Sequence, residues 1–391
     1  MKITIGIKRD LKKFFSKIKK KKLYLHEPFF FGNEKKYLNE CINRNAVASN
    51  GNFHIKFENA IKKFTGAKYC VLLCNGTSAL HIGLQVLGVG KNDEVLIPNI
   101  NYIASANAAL YLNAVPNFVS TDEKSLGINV VQLKKFLEKN TIIKKKGLYN
   151  KKTKRFIKAI IPLHLFGYPC QIDEIIKLAK IYKLKVLEDA AEGFGTLFKK
   201  RHVGTFGNAG VLSFNGNKII TTAGGGALIT NDKKLALEAK RLANVSKINH
   251  PWKMSFSAKG YNYRMPNLNA ALGLAQIENI KKVLKYKKVI YRNYKKIFFN
   301  NKYFSLYKGI ENSNPNHWLI TIILNKKYIK YRDYIIKFLI SININVRPVW
   351  DPMTKISYLK KYPSMKSDNS IVATQKIINL PSSVYLYKFF K

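Results

Sequence analysis

Between residues 69 and 189 short apolar runs alternate with amphipathic ones, and this alternation limits the fold more than any other feature of the chain. Strand-like segments at 69–73, 94–97, 115–119, 157–162 and 185–187 are separated by helical patterns at 78–87, 104–112 and 170–181. Repeated βαβ units of this kind predict an α/β fold with a mostly parallel central sheet and helices on both faces. At 391 residues the chain has room for a second, smaller unit. After Tyr263 the pattern becomes a helix at 267–286 running on to 299, a strand at 317–324, a helix at 331–340 and a strand at 345–347, which reads as an α+β domain. The expected organisation is a basic N-terminal extension (1–25), a large domain (26–262) and a small C-terminal domain (263–391).

Ligands of open parallel sheets bind beyond the carboxyl ends of the strands, and three segments in such places carry chemistry. The first is VLSFNGNKIITTAGGGA at 211–227, which sets Lys218 between an apolar strand and a triple glycine, Gly224 to Gly226. Glycines there let backbone pass close to a ligand or a neighbouring strand. An apolar setting disfavours the charged amine, and the neutral amine is the nucleophile in Schiff-base chemistry. Nucleotide binding does not fit the same glycines. Gly216-Asn217-Lys218-Ile219 lacks the Gly-Lys-Ser/Thr of a P-loop, and Gly204, Gly207 and Gly210 are evenly spaced, unlike G-x-G-x-x-G.

The second segment, KLKVLEDAAEGFG, ends a short strand at the adjacent carboxylates Glu188 and Asp189. Asp189 reads either as the cap of the following turn or as a buried anion paired with a protonated ring nitrogen of a pyridine cofactor. The third, CNGTSALHIGLQVL, places Thr77 and Ser78 where a helix begins, either as caps or as part of an anion site for a phosphate.

Together these segments resemble the DegT/DnrJ/EryC1/StrS sugar aminotransferases, which use pyridoxal 5′-phosphate on the fold-type I aminotransferase scaffold. The resemblance runs from about residue 26 to 353 and includes NGTSALHIGL, PNINYIASANA, IPLHLFGYPCQIDEI, LEDAAEGFG, HVGTFGNAGVLSFNGNKIITTAGGGALIT, GYNYRMPNLNAALGLAQIE and VRPVW in order. The SFNGNKIIT form, the insert before IPLHLFG and the HLFGYPC run look most like the branch that aminates UDP-linked 4-keto-6-deoxy-N-acetylhexosamines of bacillosamine and legionaminic acid type. Two positions depart from that branch: Ala223, where glycine is common, and Gln171, where an acid is common.

The resemblance implies that Lys218 is the Schiff-base lysine and proton carrier, and that Asp189 holds the pyridinium nitrogen. Glu192 falls near the ring oxygen and Tyr102 on the ring face. Thr77, Ser78 and Ser213 fall at the phosphate, with Asn262 contributed to it by a neighbouring subunit. His164 and Arg347 fall on the substrate side. It further implies L-glutamate as amino donor, a nucleotide-linked keto-sugar as acceptor, a homodimer, and a role in surface polysaccharide or glycan biosynthesis.

A formal net charge of +47 invites a different reading, a non-catalytic regulator that binds nucleic acid or membrane through its basic surface. The lysines are scattered, and the abundant Lys, Asn and Ile together match compositional drift. The denser run KRDLKKFFSKIKKKK sets Leu11, Phe14, Phe15 and Ile18 on one helical face, as a membrane-surface helix would. A dehydratase on the same scaffold carries histidine in place of the lysine, so Lys218 argues against it. No run approaches the ~18 apolar residues of a transmembrane helix, no secretory h-region is present, and Cys41, Cys70, Cys74 and Cys170 lack metal spacing. The expectation is a cytoplasmic protein with reduced thiols and no metal.

Overall fold

The computed structural model describes residues 9, 11, 12, 15, 16, 18, 22–49, 51–365 and 368–390. The larger sheet has a spine of seven strands in the order Tyr69–Leu73, Gly226–Thr230, Ala209–Ser213, Lys185–Asp189, Arg155–Ile160, Glu94–Pro98 and Val115–Val119. All run parallel except Gly226–Thr230, which is antiparallel to both neighbours. Both faces are buried, as a parallel sheet requires. Along Tyr69–Leu73, Val71 and Leu73 enter one core with the helices Gly76–Val86, Ala104–Tyr111 and Lys233–Ala243. Cys70 and Leu72 enter the other, with Asn52–Thr65, Val130–Asn140, Ile172–Ile181 and Asn267–Glu278. The insert that precedes IPLHLFG is an antiparallel hairpin, Thr141–Lys144 with Gly147–Asn150, joined to the edge of Arg155–Ile160.

A second, four-stranded antiparallel sheet contains Phe304–Leu306, Ile320–Leu324, Ile377–Leu380 and Arg347–Pro348. The long helix expected over 267–299 is two helices, Asn267–Glu278 and Ile280–Ile297, broken at Asn279. The first packs on Asn52–Thr65 and Glu34–Asn43, so it belongs with the larger sheet. Gly273 permits this approach, because a Cβ there would lie 2.4 Å from the Phe57 ring. A boundary at 263 therefore falls one helix too early. Ala223 adopts φ +65°, a left-handed conformation that costs an L-residue about 1–2 kcal/mol, which explains why glycine suits this position better.

The described apolar residues of the basic N-terminal segment are packed against the rest of the protein. Leu11, Phe15 and Ile18 are buried in the core of the smaller unit with Ile290, Tyr294, Ile320 and Leu339, and Leu23 bridges to Ile344. Phe14 lies outside the described residues. The apolar face that reads as lipid-seeking is a piece of this core, while Arg9 and Lys12 stay exposed. Leu11→Asp would bury an unpaired carboxylate at a fully enclosed position. It should cost about 3–5 kcal/mol, lowering the thermal midpoint; an unchanged midpoint would return Leu11 to a surface role. Among the described residues no helix is long and apolar enough to cross a membrane.

Candidate active site

Three parallel strands of the large sheet, two of them adjacent and the third set off by the antiparallel Gly226–Thr230, deliver the residues singled out above. Tyr69–Leu73 leads into the helix Gly76–Val86, Lys185–Asp189 ends at the carboxylate Asp189, and Ala209–Ser213 leads into the turn that carries Lys218. That turn is tightly tied: Lys218 N–H donates to the Asn215 carbonyl (3.0 Å), Thr222 N–H to the Phe214 carbonyl (2.8 Å), and Phe214 N–H to the Gly225 carbonyl (2.8 Å). Asn269 Nδ2 holds the carbonyls of Thr222 and Gly224 at 2.7 and 2.9 Å.

The Lys218 side chain is 14% exposed, and its Nζ lies 3.4 Å from Glu192 Oε1. It also lies 4.0 Å from the centroid of the Trp318 ring. Glu192 Oε2 accepts the Phe166 N–H at 2.7 Å. Burial pushes the Glu192 carboxyl above its ordinary range, while the Lys218 charge and the Phe166 amide pull it back. Asp189 is buried as well. Its Oδ2 accepts from Ser105 Oγ at 2.8 Å and its Oδ1 from the Ala191 N–H at 3.2 Å. Burial again raises the carboxyl, opposed by Ser105, Ala191 and the positive charge of Lys218. The local cap and the buried anion thus coexist in one residue.

At the third strand end the helix cap is Asn75, not Thr77 or Ser78. Asn75 Oδ1 accepts the Ser78 N–H at 2.7 Å and the Ser78 hydroxyl at 2.9 Å. The amides of Gly76 and Thr77, like the Thr77 hydroxyl, have no acceptor or donor among the described residues. Ser213 closes this corner, since a Cβ on Gly76 would stand 3.2 Å from the Ser213 Cβ. Gly226 gives the closest approach: its Cβ would fall 2.5 Å from the Asn75 carbonyl carbon. Two of the three glycines therefore serve packing, whereas a Cβ on Gly224 would meet nothing nearer than 3.9 Å.

Tyr102 is 55% exposed at the mouth, not a core residue of a strand. Its ring lies 5.7 Å from that of Trp350, which lies 5.7 Å from Phe166, so loops from both sheets form one aromatic wall. Arg347 is exposed three residues before Trp350. Asn262 is exposed too, on a bridge to Asn244.

His164 does not face open substrate space. It is completely buried, its Nδ1 accepts the Cys170 N–H (3.4 Å), and its Nε2 faces Glu188 Oε2 at 3.0 Å. Glu188 in turn accepts the amides of Gly204 and Gly207 at 2.7 and 2.6 Å. The histidine is a satisfied structural group that braces the floor under Asp189, which corrects its assignment to substrate. Sequence reasoning also missed Ser105, Trp318 and Asn316. Ser105 could have been found as a small polar residue at the start of the helix after PNINYI. Trp318 and Asn316 lie about 100 residues from Lys218 in sequence, and no local pattern links them.

A pyridoxal-type cofactor needs an amine, a buried carboxylate and an anion cradle at one strand-end cluster. Lys218, Asp189, and the corner of Gly76, Thr77, Ser78 and Ser213 supply these, and the uncompensated burial of Asp189 suits a cationic partner. The sequence profile of the DegT/DnrJ/EryC1/StrS aminotransferase family matches residues 31–388. The GDP-perosamine synthase of Escherichia coli O157:H7 is 35% identical over 341 residues, covering 86% of this chain and 87% of that protein. The fold is shared with Helicobacter pylori PseC, an aminotransferase involved in the biosynthesis of pseudoaminic acid (TM-score 0.84, 24% identity, 95% of this chain and 99% of that one). It is shared also with Escherichia coli GDP-4-keto-6-deoxy-D-mannose-3-dehydratase holding hydrated PLP (TM-score 0.82, 20% identity, 94% and 99%).

Proposed function

We propose that the chain, which belongs to the DegT/DnrJ/EryC1/StrS aminotransferase family and so is a pyridoxal 5′-phosphate-dependent sugar aminotransferase, moves an amino group from L-glutamate to the C4 ketone of a nucleotide-linked 4-keto-6-deoxy sugar. The products are 2-oxoglutarate and the 4-amino sugar. The observation that carries this reading is the pairing of Lys218 Nζ with Glu192 at 3.4 Å beside the buried Asp189.

When bound, the cofactor supplies an electron sink that lets a proton leave the carbon bearing nitrogen. Every other role falls to the chain. Asp189 keeps the ring nitrogen protonated by offering a buried negative charge. The helix N-terminus at Gly76 and Thr77, with the Thr77, Ser78 and Ser213 hydroxyls, holds the phosphate. Tyr102, at the mouth, would cover the bound cofactor, and Glu192, which orients the lysine amine, would help hold it. Lys218 Nζ binds the cofactor, takes the proton from the glutamate α-carbon, and in the second half of the cycle delivers one to C4 of the sugar. Arg347, exposed and cationic near the aromatic wall, suits the substrate diphosphate.

Asn262 acts on the phosphate of a second copy in a homodimer. The hairpin preceding it leaves Trp252, Met254 and Phe256 85%, 70% and 57% exposed, an apolar surface that a second copy would cover. A monomer in solution would remove this part of the proposal. All four cysteines are unpaired, in keeping with a reducing cytoplasm.

For the nucleotide, the insert before IPLHLFG and the SFNGNKIIT form favour UDP and an N-acetylhexosamine. The 35% identity to a GDP-perosamine synthase favours a GDP-linked sugar as the second reading. Purified protein supplied with glutamate and either UDP- or GDP-linked 4-keto-6-deoxy sugar separates them by mass of the amino product. The UDP substrate should give the higher kcat/KM by at least about tenfold. The reverse order would select the GDP reading, and amination of neither would end the proposal.

A further inference from the structure

We propose that Trp318 is a positioning residue for Lys218, through which the small domain sets the lysine amine in register with Glu192 and Asp189. The inference rests on Lys218 being the cofactor-binding lysine. Trp318 lies two residues before Ile320–Leu324, an inner strand of the small sheet, yet its indole reaches the turn that follows Ala209–Ser213. Its Nε1–H donates to the Asn217 carbonyl at 2.6 Å, one residue before Lys218, and its ring face stands 4.0 Å from Lys218 Nζ.

The tryptophan is itself held on all sides. Its backbone N–H donates to Asn316 Oδ1 at 2.7 Å. Asn316 Nδ2 in turn donates to the carbonyls of Glu192 and Phe194 at 2.8 and 3.0 Å. The Trp318 carbonyl accepts from Lys287 Nζ at 3.0 Å and from Ser382 Oγ at 2.6 Å. Lys287 is completely buried, and its bonding partners are carbonyl oxygens, those of Trp318 and Ser382. Burial pushes the Lys287 amine well below its ordinary pKa, and a buried amine is costly unless it is hydrogen-bonded, so a lysine spent on two carbonyls marks the Trp318 backbone as a place the fold fixes. The consequence is geometric. The indole N–H fixes the turn, the ring face narrows the rotamers open to a four-carbon side chain, and Asn316 ties the same residue to the Glu192 loop. Lysine and carboxylate are thus indexed to one side chain from the other domain.

The test uses the full chain with Trp318→Leu, which removes ring and N–H, and Trp318→Phe, which keeps an aromatic face and loses only the donor. Pyridoxal 5′-phosphate affinity of the protein freed of cofactor is measured by titration, alongside thermal midpoint, kcat and the KM for keto-sugar. Trp318→Leu should weaken cofactor binding by about tenfold or more and lower kcat, with KM changed by less than about twofold; Trp318→Phe should recover most of both. Cofactor affinity within about twofold of native in both variants would overturn the inference, as would a loss confined to the sugar KM, which would make Trp318 a substrate contact. If the melt shows that Trp318→Leu does not fold, Trp318→Phe decides alone: a loss of about threefold supports the inference and unchanged affinity overturns it. Failure of the underlying reading has a different signature, since cofactor affinity would then be unaffected by Lys218→Ala whatever Trp318 does.

Discussion

Lys218→Ala is expected to reduce amino transfer by roughly four orders of magnitude or more, because the proposed mechanism gives one side chain both the covalent attachment and the proton transfer. The fold should survive. The turn is tied by backbone bonds among Phe214, Asn215, Thr222 and Gly225 and by Asn269, none of which uses the lysine side chain. Lys218→Arg separates the two contributions of the amine. It keeps a cation beside Glu192 but is not a nucleophile at accessible pH, so it should be as inactive as the alanine variant.

The two variants differ in stability. Burial already raises the Glu192 carboxyl, and the Lys218 charge is a main force holding it down. Without that cation the folded-state value rises further above the unfolded one. A carboxyl shifted in this direction costs nothing below its unfolded range and becomes destabilising as the pH climbs through and above it. The thermal midpoint of Lys218→Ala should therefore fall increasingly behind the native protein as pH rises from the acidic range to neutrality, whereas Lys218→Arg should track the native curve. Assays of amino transfer, the visible absorbance of bound cofactor and melts across pH decide this. Turnover in either variant would take Lys218 out of the chemistry, and parallel melting curves would take Glu192 out of its environment.

What local sequence encodes is what it reveals here. The strand at 69–73 is legible because burial on both faces demands a continuous apolar run, and Lys218 and Asp189 are legible because they follow or end such runs where strands stop. Positions that depend on long-range partners are not. Ser105 becomes a site residue only when the strand before its helix, Glu94–Pro98, lies two places from Lys185–Asp189 in the sheet, and Trp318 only when the small domain docks. His164 misleads for the same reason: a histidine at a strand end reads as a ligand until Glu188 and Cys170 are seen to consume both ring nitrogens. The run around Leu11 misleads through its charge, since an amphipathic basic helix looks alike whether its apolar face meets lipid or Tyr294.

Asp189→Asn should separate stability from function with opposite signs. The carboxylate sits buried with two neutral donors, the Ser105 hydroxyl and the Ala191 amide, and burial lifts its folded-state value above the unfolded one. The sign follows as for Glu192. In the protein freed of cofactor, Asp189 costs nothing at acidic pH and destabilises once the pH passes its unfolded range. Asparagine has nearly the same shape, and its amide oxygen can accept the Ala191 N–H while its NH2 donates to the Ser105 hydroxyl oxygen, so the neutral variant removes that cost. Its cofactor-free thermal midpoint should equal or exceed that of the native protein at neutral pH, with the difference vanishing in acid. Function moves the other way. With no anion opposite the ring nitrogen, the charge that makes the cofactor an electron sink is no longer held. Removing one partner of a buried ion pair typically costs about 3–5 kcal/mol, so pyridoxal 5′-phosphate affinity should drop by roughly two to three orders of magnitude, and kcat should fall with it. Titration of the cofactor and paired melts read both halves. Native affinity in the variant would leave Asp189 as a turn cap for Ala191 and nothing more. A midpoint below native would mean that the carboxylate is stabilised by its neighbours even without a cation, which would remove the physical reason for a positively charged ring to occupy this corner.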